Sequence, residues 1–385
     1  MKRKWMSLGL ILALCIGCAV LLSTQANAAV VAEGECGDNL TWVLDDKGVL
    51  TISGTGELPD LDKYYKQPWY AKQSKITSVV IGNGVTGVGD RTFSWCSNIA
   101  SITVPKSVKS IGDYAFFNCS SLKSIAIPEG VTNIGKYAFY GCGSLSGMAI
   151  PQSVKSIGDY AFYDCQGLKS VEIAEGVQSI GIYAFYGCSS LPSITIPGSV
   201  KVISDYTFYK CKGLESATVA EGVTAIGEYA FFHCSSLVSI ALPDSLIAIG
   251  NDAFSCCGSL VSVTIPKRVE TIGKYAFNRC SSLTSITIPV HTDVSVFAFF
   301  YDCDSLTDII RVEYESEPTN PTEPTESADP TNPTEYTDPA KPTEPTNPTD
   351  PSGIETPKDR KKIVMMTSAV VAIATIGVLV WKKRK

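Results

Sequence analysis

Cysteines recur every 23 residues along most of the chain, as Cys96, Cys119, Cys142, Cys165, Cys188, Cys211, Cys234, Cys257, Cys280 and Cys303. Three residues before each stands a phenylalanine, from Phe93, Phe116, Phe139, Phe162 and Phe185 through to Phe300. Such a ladder of thiols could cross-link or bind metal. If successive copies stack about 4.8 Å apart, neighbouring rungs fall within the roughly 4.4–6.8 Å Cα separation that a disulfide allows. Bridges between rungs therefore stay open in an exported chain. Identical rungs have no intrinsic partner, however, and a row of buried thiols acting as small hydrophobes accounts for the pattern better. Metal fits less well, because ligands on a line do not make a tetrahedron and the ladder holds no Cys-x-x-Cys pair. No cofactor is expected.

Catalysis finds little footing. The two histidines, His233 and His291, lie in different copies, and no Ser-His-Asp or Cys-His set is suggested. Two carboxylates would suffice for a glycosidase, but a regular array offers few deep pockets. The chain reads as non-enzymatic, with a carbohydrate-active enzyme as the most distant alternative.

Two repeated surfaces could bind. Tyr137, Tyr160, Tyr183 and Tyr206 each precede the Ala or Thr before the phenylalanine, as do Tyr114, Tyr229 and Tyr275; three residues on lie Tyr140, Tyr163, Tyr186 and Tyr209, with Phe117, Phe232 and Tyr301 in register. Stacked copies would make a broad aromatic patch, and contiguous exposed aromatics mark interaction sites. The competing reading is that these rings pack on one another and seal that side. The second surface is hydroxylic: Ser170, Ser193 and Ser216, with Thr195 and Thr218 two residues after the last two. Solenoids often bind on their strand face, though small residues there could simply ease curvature.

The elements that must position these residues follow from the period. A fixed repeat of 20–29 residues with apolar positions in register is the signature of a solenoid, each coil covering the apolar face of the next. In the copy from Leu122, alternation places a short strand at Ser124 to Ile127 with Ile125 and Ile127 inward, and Pro128 ends it. Val131 and Ile134 turn inward next. The near-constant Gly135 position suggests a turn with positive φ. Asp113, Asp159 and Asp205 are suited to cap a short helix, on which Ala138, Phe139 and Cys142 have helical spacing. The fold class expected is an α/β solenoid of ten 23-residue coils, each a short parallel strand plus a short helix. A weaker 46-residue period alternates Gly130, Gly176 and Gly222 with Ser153, Ser199 and Ser245. The last copy degrades at 290–299.

The flanks organise the rest. Residues 1–28 read as a signal peptide: a basic start, an apolar run and Ala26-Asn27-Ala28. A lipoprotein site at Cys18 lacks the expected leucine. Residues 29–75 form a capping segment with a hairpin of Leu40–Leu44 and Val49–Ser53 about Asp45-Asp46-Lys47-Gly48. The solenoid occupies 76–312. Residues 313–362 are a stalk whose Pro/Thr-rich part, 315–357, extended at roughly 3.1 Å per residue, reaches on the order of 130 Å. Residues 363–381 are an uncharged apolar run long enough to span a bilayer as a helix, and 382–385 a basic cytoplasmic tail. No Leu-Pro-x-Thr-Gly element precedes the span, which favours a retained membrane anchor over a sorting signal. With a net charge of −6 a nucleic-acid partner is not expected.

The copies, as in Leu122-x-x-Ile125-x-Ile127-Pro128-x-x-Val131-x-x-Ile134-Gly135-x-x-Ala138-Phe139-x-x-Cys142, closely resemble the BspA-type leucine-rich repeat. Cys36-Gly37-Asp38-Asn39-Leu40-Thr41-Trp42 and Gly48-Val49-Leu50-Thr51-Ile52-Ser53-Gly54 look like the segment that often precedes such arrays in exported bacterial proteins. The resemblance implies a right-handed, curved solenoid at a bacterial surface. It also implies adhesion to host matrix proteins or other cells, with no shared catalytic residue. The expectation is a monomeric head outside the cell that binds an extracellular protein or glycan, either as an adhesin or receptor or as a scaffold for the cell's own envelope polymers.

Overall fold

A computed structural model describes residues 28–292 and 300–314; the chain divides into two units, Met1–Glu317 and Pro318–Lys385, and every described residue lies in the first. The signal peptide up to residue 27, most of the stalk, the apolar span and the basic tail lie outside the described residues. Among the described residues no helix is long and apolar enough to cross a membrane.

The first described strands form an antiparallel meander. Strand β1 (Val30–Gly37) pairs with β2 (Leu40–Asp45), and β2 with β3 (Val49–Gly54), joining Leu40 to Gly54 and Leu44 to Leu50. The predicted hairpin is β2–β3. Its turn is fastened by Asp45, whose carboxylate accepts the N–H groups of Lys47 and Val49, and Gly48 adopts a positive φ of 82°. β3 then pairs in parallel with Ser78–Ile81, so the meander runs straight into the repeats.

The described repeats join through three kinds of inter-coil ladder, the two strand ladders interrupted into several short sheets. The first joins short parallel strands offset by 23 residues, such as Ser193–Ile196 on Ser216–Val219, with Ser193 opposite Ser216 and Thr195 opposite Thr218. The second joins two-residue strands, such as Asn133–Ile134 between Ser110–Ile111 and Ser156–Ile157. A parallel register at the repeat length puts each side chain beside its equivalent. Ile125, Val131, Ile134, Ala138, Phe139 and Cys142 all point into one continuous apolar core.

The third ladder replaces the expected helix. In the copy from Leu122 the residues from Gly135 to Cys142 form consecutive turns: Tyr140 N–H donates to Tyr137 O and Cys142 N–H to Phe139 O. The alternate amides point outward along the stack, from Tyr137 to Asp159 O, Phe139 to Ala161 O and Gly141 to Tyr163 O, at 2.8–2.9 Å. A helix would turn all its amides inward along its own axis and leave the next coil unbonded. The turns require left-handed backbone twice per copy, at Tyr137 (φ 57°) and Gly141 (φ 69°), and at Tyr160 (φ 57°) and Asp164 (φ 54°) in the next. Helical spacing misleads here because successive i to i+3 turns also bring residues three apart onto one side.

Two further expectations change with it. Gly135 and its equivalents do not have positive φ; they are glycine because the coils touch there. A Cβ on Gly158 would lie 2.6 Å from the carbonyl carbon of Gly135. The aspartates cap no helix. Asp113 accepts the N–H of Lys136 at 2.7 Å, Asp159 that of Ile182 at 3.1 Å and Asp205 that of Glu228 at 2.7 Å, each in the following coil. The Gly/Ser alternation is also a bonded pair: Ser153 Oγ accepts from Gly130 N–H and Ser245 Oγ from Gly222 N–H.

Candidate binding surfaces

The Phe and Cys columns are structural. Phe116, Phe139, Phe162 and Phe185 are wholly buried, with rings stacked 5.1–5.2 Å apart. Trp69 stacks on Phe93 at 5.4 Å and meets Trp42 edge-on at 6.2 Å, so the column begins in the lead-in segment. Sequence reasoning brought Trp69 near the first coil but did not identify it as the column's first ring. Cys119, Cys142, Cys165 and Cys188 are free and buried, and each donates its S–H to a phenylalanine carbonyl of the preceding coil at 3.1–3.3 Å. That carbonyl already accepts a backbone N–H within its own coil, so the thiol fills its second lone pair. Burial pushes the Cys142 thiol up to about 12, and Cys119, Cys165 and Cys188 well above their ordinary value. Inert, protonated thiols follow. Among the described residues no cluster of three His, Cys, Asp or Glu is placed to hold a metal.

The outer aromatics form two more columns. In the first, Tyr137, Tyr160, Tyr183 and Tyr206 stack at 4.4–4.8 Å, extended by Tyr114 at one end and Tyr229 at the other. In the second, Tyr140, Tyr163, Tyr186 and Tyr209 stack at 4.2–5.2 Å, between Phe117 and Phe232. The columns touch each other, as Tyr160 does Tyr163 at 5.8 Å. Both end where Asp252 and Ser255 replace the rings; Tyr275 beyond that gap is 47% exposed. The stacked tyrosines are half-buried: faces cover faces, and edges remain for solvent. Burial raises the hydroxyl pKa of Tyr137, Tyr140, Tyr160, Tyr163, Tyr183, Tyr206 and Tyr209, so they stay neutral donors. Lys210 donates to the Tyr186 hydroxyl at 3.2 Å and lies over the rings of Tyr186 and Tyr209.

The hydroxyl surface is on the first ladder. Ser170, Ser193, Thr195 and Thr218 are exposed and Ser216 is half-buried. It is less regular than the aromatic columns: Gly147 stands opposite Ser170, and Ala241 opposite Thr218.

The model of the BspA type leucine rich repeat region matches six copies in this chain, over residues 66–148, 132–224 and 201–315. No curated protein matches. Among solved structures, a leucine rich cell surface protein from Faecalibacterium prausnitzii is 22% identical, over 76% of this chain and 97% of its own, with a TM-score of 0.36. A leucine-rich repeat protein from Bacteroides ovatus is 23% identical over 72% and 99%, with a TM-score of 0.36. One from T. pallidum is 25% identical over 59% and 91%, with a TM-score of 0.42.

Proposed function

The chain belongs to the BspA type leucine-rich repeat family, and from that premise we propose that it is a non-enzymatic binding protein of a bacterial surface, an adhesin or receptor for a protein or glycan of a host or neighbouring cell. The matched family is one of repeats and not of an enzyme. In this reading β1–β3 and Trp69 close the first end of a monomeric head, which a stalk and a C-terminal helix hold outside the membrane.

The observation that carries the proposal is the pair of outer aromatic columns. Ring-on-ring stacking aligns tyrosine edges and hydroxyls across six consecutive coils, from Tyr114 and Phe117 to Tyr229 and Phe232. A rigid array of amphipathic rings loses little conformational entropy on binding and suits an extended partner.

The test is a binding assay of the purified full chain against host matrix proteins, mucin and the producer's own wall fragments. The combined changes Tyr140→Ala, Tyr163→Ala, Tyr186→Ala and Tyr209→Ala should abolish binding to host material while the circular dichroism spectrum is kept. Unchanged affinity in that folded variant would move the site to the Ser170 to Thr218 face. Binding only to the producer's wall would make the protein an envelope scaffold, and hydrolysis of a glycan would make it an enzyme.

A further inference from the structure

A cleft lies outside both outer columns, where the lead-in segment meets the first coil. It measures about 550 Å³ and is open to solvent, within the roughly 300–1,000 Å³ of small-ligand sites. Tyr64, Tyr70 and Trp95 give its aromatic walls, and Gln73, Ser74 and Asn98 its polar ones. The three rings form one cluster: Tyr64 lies 5.9 Å from Tyr70 and 6.3 Å from Trp95. Unlike the stacked tyrosines, they keep their surfaces, at 39%, 42% and 47% exposed.

Trp95 is a fixed platform. Its backbone N–H donates to Phe117 O at 2.6 Å, and its backbone carbonyl accepts from Ser97 N–H at 2.8 Å and from Gln73 Nε2 at 2.6 Å. The Gln73 amide must turn its nitrogen to that carbonyl, since two acceptors would repel; its Oε1 is then a buried acceptor without a partner. Asn98 spends Nδ2 on Ser74 O at 2.8 Å and is exposed at the rim. Trp95 sits at a φ of 65°, the left-handed position that Asn118, Asp164, Lys210, His233 and Arg279 hold in later coils, and its ring packs on Phe117 at 5.6 Å, which leaves the other surface to the cleft.

Among the described residues the lining carries no charge: no Asp, Glu, Lys or Arg faces the cleft. Exposed ring faces beside uncharged amides and hydroxyls match a ligand with apolar C–H faces and a rim of hydroxyl groups. The positive C–H edge of a sugar is attracted to the negative face of an aromatic ring, and its hydroxyls can pair with the exposed Asn98 amide and the serine groups. We propose that this cleft is a binding site for a neutral saccharide, with Trp95 as the stacking platform. The proposal rests on the binding role argued above but on different residues.

The experiment titrates the full chain with neutral tetrasaccharides of glucose, galactose and N-acetylglucosamine, with a sulfated tetrasaccharide and with a Leu-rich hexapeptide as contrasts. Tryptophan fluorescence and calorimetry give the readouts. At least one neutral tetrasaccharide should bind and shift the emission. Trp95→Asn, which suits the backbone, should weaken it at least tenfold, and Asn98→Ala several-fold, with the circular dichroism spectrum unchanged. Tyr70→Ala provides an independent wall variant with the same expected loss. Absence of binding to every neutral sugar, or full affinity in both Trp95→Asn and Tyr70→Ala, overturns the site. Tighter binding of the sulfated sugar or the peptide overturns the ligand class. Saccharide binding that is lost only in the four-tyrosine variant leaves the surface-binding role standing and removes this cleft from it.

Discussion

The inner phenylalanine column and the outer tyrosine columns have almost the same geometry and opposite roles. Phe139 and Phe162 stack at 5.2 Å and Tyr140 and Tyr163 at 4.7 Å, both nearly parallel. The same offset of 23 residues aligns both. Only the environment differs: the phenylalanines are fully enclosed and the tyrosines half-covered. Stacking in a repeat protein is thus a consequence of register, and what it means depends on whether the stacked ring edges are exposed. What separates a spine from a surface is whether water reaches the ring edge.

The largest expected effects are on the inner column. Phe162→Ala removes a wholly buried ring and leaves a cavity between two others, for a loss of about 3–5 kcal/mol, read as a fall in chemical-denaturation midpoint. Tyr163→Ala removes ring contacts that water partly replaces, for about 0.5–1.5 kcal/mol per pair. Equal losses at 162 and 163 would break the contrast.

Alkaline pH sharpens it further. A thiol released on unfolding ionises near 9.0, while burial holds Cys96 and Cys142 protonated up to about 12. The folded chain therefore binds more protons than the unfolded one above pH 9. The stabilisation is complete below pH 9 and falls as pH rises from 9 towards 12. Melting temperature followed from pH 7 to 11 should drop steeply beyond 9, and Cys142→Ala with Cys165→Ala should flatten that limb. Tyr140→Phe with Tyr163→Phe should act only above about pH 10, the ordinary tyrosine value from which burial raises these hydroxyls. In the native chain the buried spine thiols should resist alkylation at pH 8 and react once denatured.

The inner spine was the most legible part of the sequence, because every Phe and Cys repeats and each has one environment. The β2–β3 hairpin was legible from Asp45 and Gly48. The segment from Gly135 to Cys142 was not, since a run of turns and a helix share the three-residue spacing and differ only in where the alternate amides go. Gly135 was misleading for a related reason: a glycine required by a neighbouring coil looks the same in sequence as one required by its own φ. The outer rings were visible as a set, but their half-burial depends on the stacking distance between coils. The Trp95 cleft was invisible because Tyr64 and Tyr70 precede the first copy and belong to no period.

The smallest effect tests the turn itself. Tyr183 sits at a φ of 58°, between Tyr160 at 4.8 Å and Tyr206 at 4.4 Å. Both Tyr183→Ala and Tyr183→Asn remove those ring contacts, so their difference isolates the backbone. Left-handed backbone costs a residue with a Cβ about 1–2 kcal/mol, and asparagine bears it more easily because its short side chain bonds locally. In the turn seen here Tyr183→Asn should be the more stable of the two, by about 0.5–1 kcal/mol. In a helix the order reverses, since alanine exceeds asparagine in helix propensity by up to about 0.7 kcal/mol. The sign of one small difference in urea midpoint therefore decides whether the outer tyrosines stand on turns bonded to the next coil or on helices bonded to themselves.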